Sequence, residues 1–206
     1  MGVNLDVPPE VVAKCVREIG IGFLYAPLFH GAMKYAIGPR REIGLRTVFN
    51  ILGPLTNPAG ATAQVLGVYD GGLTEMMAQV LNNLGVKRAF VVYGLDTLDE
   101  ITITGPTKVS ELIEKKVETY FIRPEDFGLP VSHPSEIKGG GVKENVEIVY
   151  SVLKGKKGAQ RNVVLLNASA ALVAAGKAPD FREGIGLAED SIDSGRALEK
   201  LELLKE

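Results

Sequence analysis

Apolar residues recur at helical spacing near the start of the chain and again along its last third. The first stretch begins with paired prolines, which suit the first turn of a helix, and it predicts a helix from Pro9 to Ile19. The later stretches predict helices over residues 144–154, 160–175 and 181–204, with a glycine near each break. These patterns indicate helices that each bury one face.

The middle of the chain has the shorter apolar runs that are typical of strands. Residues 62–69 and 88–93 predict two buried strands, and residues 73–84 between them predict an amphipathic helix that Gly85 ends. A strand, a helix and a strand in this order predict a parallel pair joined by a right-handed crossover. The alternating runs TKVSEL and KVETYFI, separated by charged residues 114–116, then predict a hairpin.

Together these elements predict an α/β fold, one sheet with helices on its faces. Residues 9–43 are expected to form helical segments, and those after residue 20 are expected to be short, buried and at the edge of a cleft. No repeat, low-complexity tract or convincing boundary divides the chain, so residues 1–206 are expected to form a single domain.

Composition narrows the class of protein. The chain has 206 residues, of which 46% are hydrophobic, and this is ample for a sizeable core. No apolar run approaches the ~18 residues of a membrane span, and the N-terminus lacks the layout of a secretory signal, so a cytoplasmic protein is expected. The net charge of -2 gives no drive toward nucleic acid or an acidic membrane, and a single cysteine, Cys15, cannot form an internal disulfide. Small molecules remain the open class of ligand.

The segment GLRTVFNILGPLTNP, residues 44–58, combines an apolar face with Gly53, Pro54 and a polar turn cluster. Its two prolines have fixed φ angles, so the segment can present binding groups rigidly. A purely structural turn uses the same residues, and the residues alone leave both interpretations open.

Three carboxylates follow the second predicted strand in GLDTLDEITITG, those of Asp96, Asp99 and Glu100. Mg²⁺ usually takes one or two protein carboxylates and completes its octahedron with water and substrate phosphates, so the adjacent Asp-Glu pair fits a magnesium site. A solvated acidic loop explains the same residues and is the commoner meaning of such a pair.

Cations and a histidine lie among apolar residues before the GLRTVFNILGPLTNP segment. Arg40 and Arg41 follow Gly38 and Pro39, and a guanidinium fork binds a carboxylate through two hydrogen bonds, which lysine does less well. A pair of surface cations is the alternative. His30 is either a hydrogen-bond donor of a pocket or a satisfied histidine near the core.

Five segments in the same order along the full chain resemble anthranilate phosphoribosyltransferases: GFLYAPLFHGAMKYA, GPRREIGLRTVFNILGPLTNP, GLDTLDEITITG, PEDFG and LNASAALVAAGKAPDFREG. The resemblance implies a three-layer fold like that of nucleoside phosphorylases and phosphoribosyltransferases, with mostly parallel strands and helices on both faces. It also implies transfer of phosphoribosyl from phosphoribosyl pyrophosphate to the amine of anthranilate with release of pyrophosphate, a step of tryptophan biosynthesis, with Mg²⁺ as the cofactor.

Six residues match functional positions of the family: Arg40, His30, Gly53, Pro54, Asp99 and Glu100. By resemblance, the arginine grips the anthranilate carboxylate and the histidine lies on the same pocket wall. The glycine and proline line the tunnel that the flat aromatic ring enters. The carboxylate pair binds the magnesium ion that neutralises the pyrophosphate leaving group.

Two family segments, GTGGD and KHGN, precede the matched region in the family and do not occur in this sequence. The resemblance therefore implies that an N-terminal part with most of the phosphoribosyl pyrophosphate contacts is missing, so this chain alone is expected to be inactive or weak. An exposed apolar patch is expected, the family's homodimer is doubtful for this chain, and a separate N-terminal segment would complement it. A non-catalytic nucleic-acid-binding relative, a structural fragment that binds no small ligand and a pyrimidine nucleoside phosphorylase-like enzyme remain as alternatives.

Overall fold

The structure is a computed structural model, and it describes residues 1–29, 42 and 49–206. The contacts divide the described chain into two compact units, one of Met1–Gly60 with Ala197–Glu206 and one of Ala61–Arg196. Sequence analysis predicted a single domain without this division. The boundary falls after Gly60, just beyond the turn residues Thr56, Asn57 and Pro58.

The first unit is helical in the residues described. Helix α1 (Pro9–Glu18) confirms the predicted helix, which starts at the prolines and ends before Gly20, whose φ is 82°. Two short helices follow, α2 (Ala26–Phe29) and α3 (Phe49–Leu55).

Large apolar side chains are exposed on this unit, namely Leu5, Val11, Val16, Ile21, Phe23, Tyr25 and Leu28. The prediction of buried helices after residue 20 is therefore wrong for Phe23, which is 52% exposed, and for Tyr25 and Leu28. A segment rich in large apolar residues favours burial, but its composition does not show which other residues would bury it. The resemblance predicted an exposed apolar patch, and these side chains are individually exposed.

The second unit contains one four-stranded sheet in the order β1-β2-β3-β4. Its strands are β1 (Ala63–Gly67), β2 (Arg88–Gly94), β3 (Thr107–Ile113) and β4 (Lys116–Ile122). Strands β1 and β2 are parallel and are joined through α4 (Thr74–Asn83), as predicted. The other two pairs are antiparallel, so the prediction of mostly parallel strands is wrong for this sheet. The connections after β2 and β3 contain no crossover helix, and a parallel neighbour requires one.

The predicted hairpin is confirmed by β3 and β4. Its two turn residues, Glu114 and Lys115, have φ angles of 49° and 66°. Two successive positive φ angles match the right-handed twist of the flanking strands, which is why two-residue hairpins favour this turn.

Five helices complete the fold: α5 (Pro134–Ile137), α6 (Val142–Leu153), α7 (Ala159–Ala174), α8 (Phe181–Asp193) and α9 (Arg196–Lys205). Helices α6, α7 and α8 confirm the C-terminal periodicity. The predicted segment 181–204 is two helices, because Gly195 between them has a φ of 80°. No helix in the described ranges is long and apolar enough to cross a membrane.

Helices cover both faces of the sheet. The ring of Phe181, at the start of α8, meets the ring of Phe90 of β2 edge-on at 5.2 Å. On the opposite face, Lys108 of β3 donates to the carbonyl of Gly71, which leads into α4. Alternate strand residues point to opposite faces, so these two contacts define two helical layers with the sheet between them. The α/β class with helices on both faces is confirmed.

Candidate functional site

The predicted magnesium pair lies on the connection between β2 and β3, which we call the acidic loop (residues 95–106). Strand β2 is nearly continuously buried, and the loop leaves its carboxyl end. Both Asp99 and Glu100 are exposed there. In sheets that contain parallel strands, ligands commonly bind at the carboxyl ends of the strands, so the loop is well placed for binding.

Asp96 holds the two arms of the acidic loop together. Its Oδ2 accepts hydrogen bonds from the hydroxyls of Thr102 at 2.6 Å and Thr104 at 2.5 Å. The N–H of Gly94 donates to the carbonyl of Leu98 at 2.8 Å, which closes the first turn. The third predicted carboxylate is thus a structural tie within the loop and does not join the other two as a ligand.

A second restraint acts directly beneath Asp99. An ideal Cβ built on Gly67, the last residue of β1, would lie 1.6 Å from the carbonyl oxygen of Asp99. Only glycine permits the backbone of the loop to pass this close to the strand.

A third restraint acts just after Glu100. The side-chain amide of Asn167, on α7, accepts a hydrogen bond from the N–H of Ile101 at 3.0 Å and donates one to its carbonyl at 2.8 Å. The same amide nitrogen donates to the carbonyl of Val163 at 2.9 Å. The side chain of Ile101 is fully buried, so this part of the loop is fixed in the core.

The two exposed carboxylates repel each other. Partial burial raises the pKa of Glu100 above its ordinary value, and the negative charge of Asp99 raises that pKa further. No hydrogen bond or ion pair to either carboxylate occurs in the part of the chain that the structure describes. A divalent cation would relieve this repulsion, and two carboxylates are the donor set that Mg²⁺ takes from a protein. The pair therefore fits a magnesium ion.

The carboxylate pair supplies only part of a coordination shell. Within residues 1–29, 42 and 49–206, no group of three or more His, Cys, Asp or Glu side chains is placed to hold a metal ion. The remaining ligands of an ion held by Asp99 and Glu100 would be water or substrate oxygens.

The predicted acceptor residues belong to the first unit. Gly53 and Pro54 lie in the last turn of α3, so the predicted turn begins only after them. The hydroxyl of Thr56 donates to the carbonyl of Leu52 at 3.0 Å and ends the helix. Gly53 is half-buried, and no described atom lies within 4 Å of an ideal Cβ built on it. His30 and Arg40 lie outside the described residues.

Sequence reasoning missed Gly67 and Asn167, the two residues that restrain the acidic loop from other elements. A glycine within a strand often marks a close backbone approach, and that signal was present at Gly67. An asparagine in an apolar helix favours a specific hydrogen-bond partner, but the partner of Asn167 is 66 residues away and no local pattern identifies it.

A known protein family matches almost the whole chain. The family described as "Glycosyl transferase family, a/b domain" matches residues 1–198. The chain belongs to this family, which confirms the resemblance recognised in the sequence.

Relatives within the family carry a more specific name. Anthranilate phosphoribosyltransferases from Desulfosudis oleivorans and Moorella thermoacetica are 59% and 54% identical over 100% and 99% of this chain, but it covers only 61% and 60% of them. The crystal structure of the Thermus thermophilus enzyme of that name matches with a TM-score of 0.91 and 42% identity, over 99% of this chain and 60% of that one. The Saccharomyces cerevisiae enzyme in complex with PRPP and Mg matches with a TM-score of 0.88 and 32% identity, over 98% and 58%. The chain thus spans about 60% of the length of the relatives it matches.

Proposed function

We propose that this chain carries the anthranilate side and the magnesium-binding pair of an anthranilate phosphoribosyltransferase. The observation that carries the proposal is the exposed Asp99–Glu100 pair, which lies on a loop that three sets of contacts restrain. Among the described residues, no cationic side chain pairs with either carboxylate. The names of the relatives give the reaction: phosphoribosyl transfer to anthranilate.

In this reaction the bond between ribose C1 and pyrophosphate breaks, a bond between C1 and the anthranilate nitrogen forms, and that nitrogen releases one of its protons. When bound, Mg²⁺ supplies positive charge that offsets the charge on the departing pyrophosphate. Asp99 and Glu100 hold that ion, Arg40 binds the anthranilate carboxylate, and His30 lies on the same pocket wall. Gly53 and Pro54 form the flat wall beside the aromatic ring. Positioning and charge neutralisation, rather than a protein nucleophile, supply the rate.

The first test asks whether the chain is a working part of this enzyme. Phosphoribosyl transfer to anthranilate is measured for the chain alone and for the chain co-expressed with the remaining segment of the Desulfosudis oleivorans relative. We expect little or no activity alone and restored activity with the segment. Calorimetric titration of the chain with anthranilate should detect binding, because the acceptor residues are within it. Absence of both activity and anthranilate binding would contradict the proposal.

The second test uses the chain together with the co-expressed segment. It distinguishes the role of Arg40 from the role of Asp99 and Glu100. Arg40→Ala removes a charged, two-bond contact, so we expect the KM for anthranilate to rise about 10- to 100-fold. Asp99→Asn with Glu100→Gln should instead raise the Mg²⁺ concentration needed for half-maximal rate. Arg41→Ala and Glu118→Gln are the matched controls and should change neither quantity. The reverse pattern would refute the assignment of roles.

The same proposal includes a cytoplasmic location and the pathway of tryptophan biosynthesis. The family homodimer stays doubtful for this chain by itself, and size-exclusion chromatography of the chain with and without the co-expressed segment measures its oligomeric state. No observation favours the nucleic-acid-binding or pyrimidine nucleoside phosphorylase-like alternatives, and the net charge of -2 counts against the former.

A further inference from the structure

We propose that Asn167 is a positioning residue that holds Asp99 and Glu100 in the orientation that receives a divalent cation. The inference rests on the proposed function, because it assumes that the pair binds a metal ion. It assigns a role in the metal site to a residue that does not itself contact the ion and that lies on a helix distant in the sequence.

The contact is specific in its geometry. The amide of Asn167 uses its oxygen for the N–H of Ile101 and its nitrogen for the carbonyl of the same residue, as a neighbouring strand would. Both protons of that nitrogen are used, because the second bond goes to the carbonyl of Val163 within α7. The opposite amide orientation would set two oxygens against each other. Because these three hydrogen bonds form together, the side chain of Asn167 has one orientation. Its two bonds to Ile101 then fix the backbone of the loop at that residue.

Asn167 pairs with a backbone segment that the sheet does not pair with. Glu100 and Ile101 precede the first residue of β3, so no strand of the sheet satisfies the backbone of Ile101. A buried backbone group without a partner is destabilising, so the pairing with Asn167 favours this position of Ile101.

Glu100 directly precedes Ile101 in the sequence. The backbone of Asp99, one residue before Glu100, packs closely against Gly67. The loop is therefore held on both sides of the acidic pair, by the packing against Gly67 before it and by the hydrogen bonds to Asn167 after it. If the contact with Asn167 is removed, the backbone of Ile101 loses both of these hydrogen bonds, and we expect the two carboxylates to hold one shared geometry less firmly. Residues that orient metal ligands in this way typically contribute 10- to 100-fold to affinity.

The test measures Mn²⁺ binding by electron paramagnetic resonance, with Mn²⁺ as the probe for a site of hard oxygen ligands. The proteins are the unmodified chain, Asp99→Asn with Glu100→Gln, Asn167→Ala and Asn167→Leu. The control is Asn162→Ala on the same helix, because no hydrogen bond of the Asn162 side chain occurs in the described residues. We expect the acidic-pair variant to lose the site, both Asn167 variants to bind about tenfold more weakly, and Asn162→Ala to bind like the unmodified chain.

A second readout follows the loop itself. In the unmodified chain, the amide hydrogen of Ile101 should exchange slowly with solvent, and in Asn167→Leu, which has similar volume but no polar group, it should exchange faster. A residue with only a structural role would lower the unfolding temperature and leave the Mn²⁺ affinity of the folded protein unchanged.

The outcomes distinguish the two proposals. If the unmodified chain has no Mn²⁺ site that depends on Asp99 and Glu100, the metal role in the proposed function is wrong, and the inference fails with it. If that site exists but the folded Asn167 variants bind Mn²⁺ equally well, only the inference is wrong. If the Asn167 variants do not fold, rapid exchange of Ile101 in the unmodified chain overturns the inference, and slow exchange supports it.

Discussion

A single methyl group at the end of β1 should displace the acidic loop. Gly67→Ala adds a Cβ that would lie 1.6 Å from the carbonyl oxygen of Asp99 and 2.5 Å from its carbonyl carbon. Both of those atoms are backbone atoms, so no side-chain rotation can relieve the overlap. The strand or the loop must move.

The size of the effect follows from these distances. Real Cβ atoms essentially never approach closer than 3.0 Å, so the separation must grow by at least about 1.4 Å, the difference between 3.0 and 1.6. Forcing extra volume into a packed site typically costs about 1–3 kcal/mol. Alanine reduces the entropy of the unfolded chain and returns about 0.4–1 kcal/mol. We therefore expect the free energy of unfolding to fall by about 1–2 kcal/mol.

Urea denaturation measures the free energy of unfolding, and Mn²⁺ titration of the folded protein measures the effect on the carboxylate pair. Gly105→Ala is the matched control, since Gly105 lies in the same loop and no atom of the described residues is within 4 Å of its ideal Cβ. We expect that control to change stability by less than about 0.5 kcal/mol. A Gly67→Ala protein as stable as the control, with the same Mn²⁺ affinity, would refute the close approach of loop and strand.

Two further predictions concern pH and backbone strain. Hydrogen bonds from buried Arg161 hold the pKa of Asp193 below its ordinary value, so the stability from this pair is present above about pH 4 and is lost as pH falls through the lowered pKa. Unfolding followed by circular dichroism should thus depend less steeply on acid in Asp193→Asn, and equal acid dependence would argue against the pair. Thr97 has a φ of 77°, which is costly for a β-branched residue, so Thr97→Gly should raise the free energy of unfolding by up to about 1 kcal/mol. Thr97→Ala keeps the Cβ and should change it little; a loss of stability in the glycine variant would contradict the prediction.

Local patterns in the sequence predicted most of the elements. The helix α1, the strand-helix-strand unit and the hairpin at Glu114 and Lys115 were all predicted, because each depends on the spacing of apolar residues and on turn residues a few positions apart. The resemblance selected Asp99 and Glu100 as the metal pair, and the structure places both on one exposed loop. Sequence also identified Gly53 and Pro54, but not that they close a helix.

Tertiary structure decided what holds the acidic loop. The loop rests on Gly67 from an earlier strand and pairs with Asn167 from a helix 66 residues later, and no spacing rule connects residues that far apart. The antiparallel pairing of β2 with β3 was also a tertiary result, because a continuous apolar run such as β2 predicts a buried strand but not the direction of its second neighbour. By itself, the sequence determined the family, because residue type and order suffice to recognise it, and it selected the residues proposed to carry the chemistry. The folded chain determined their rigidity, which arises from contacts between segments that are distant in the sequence.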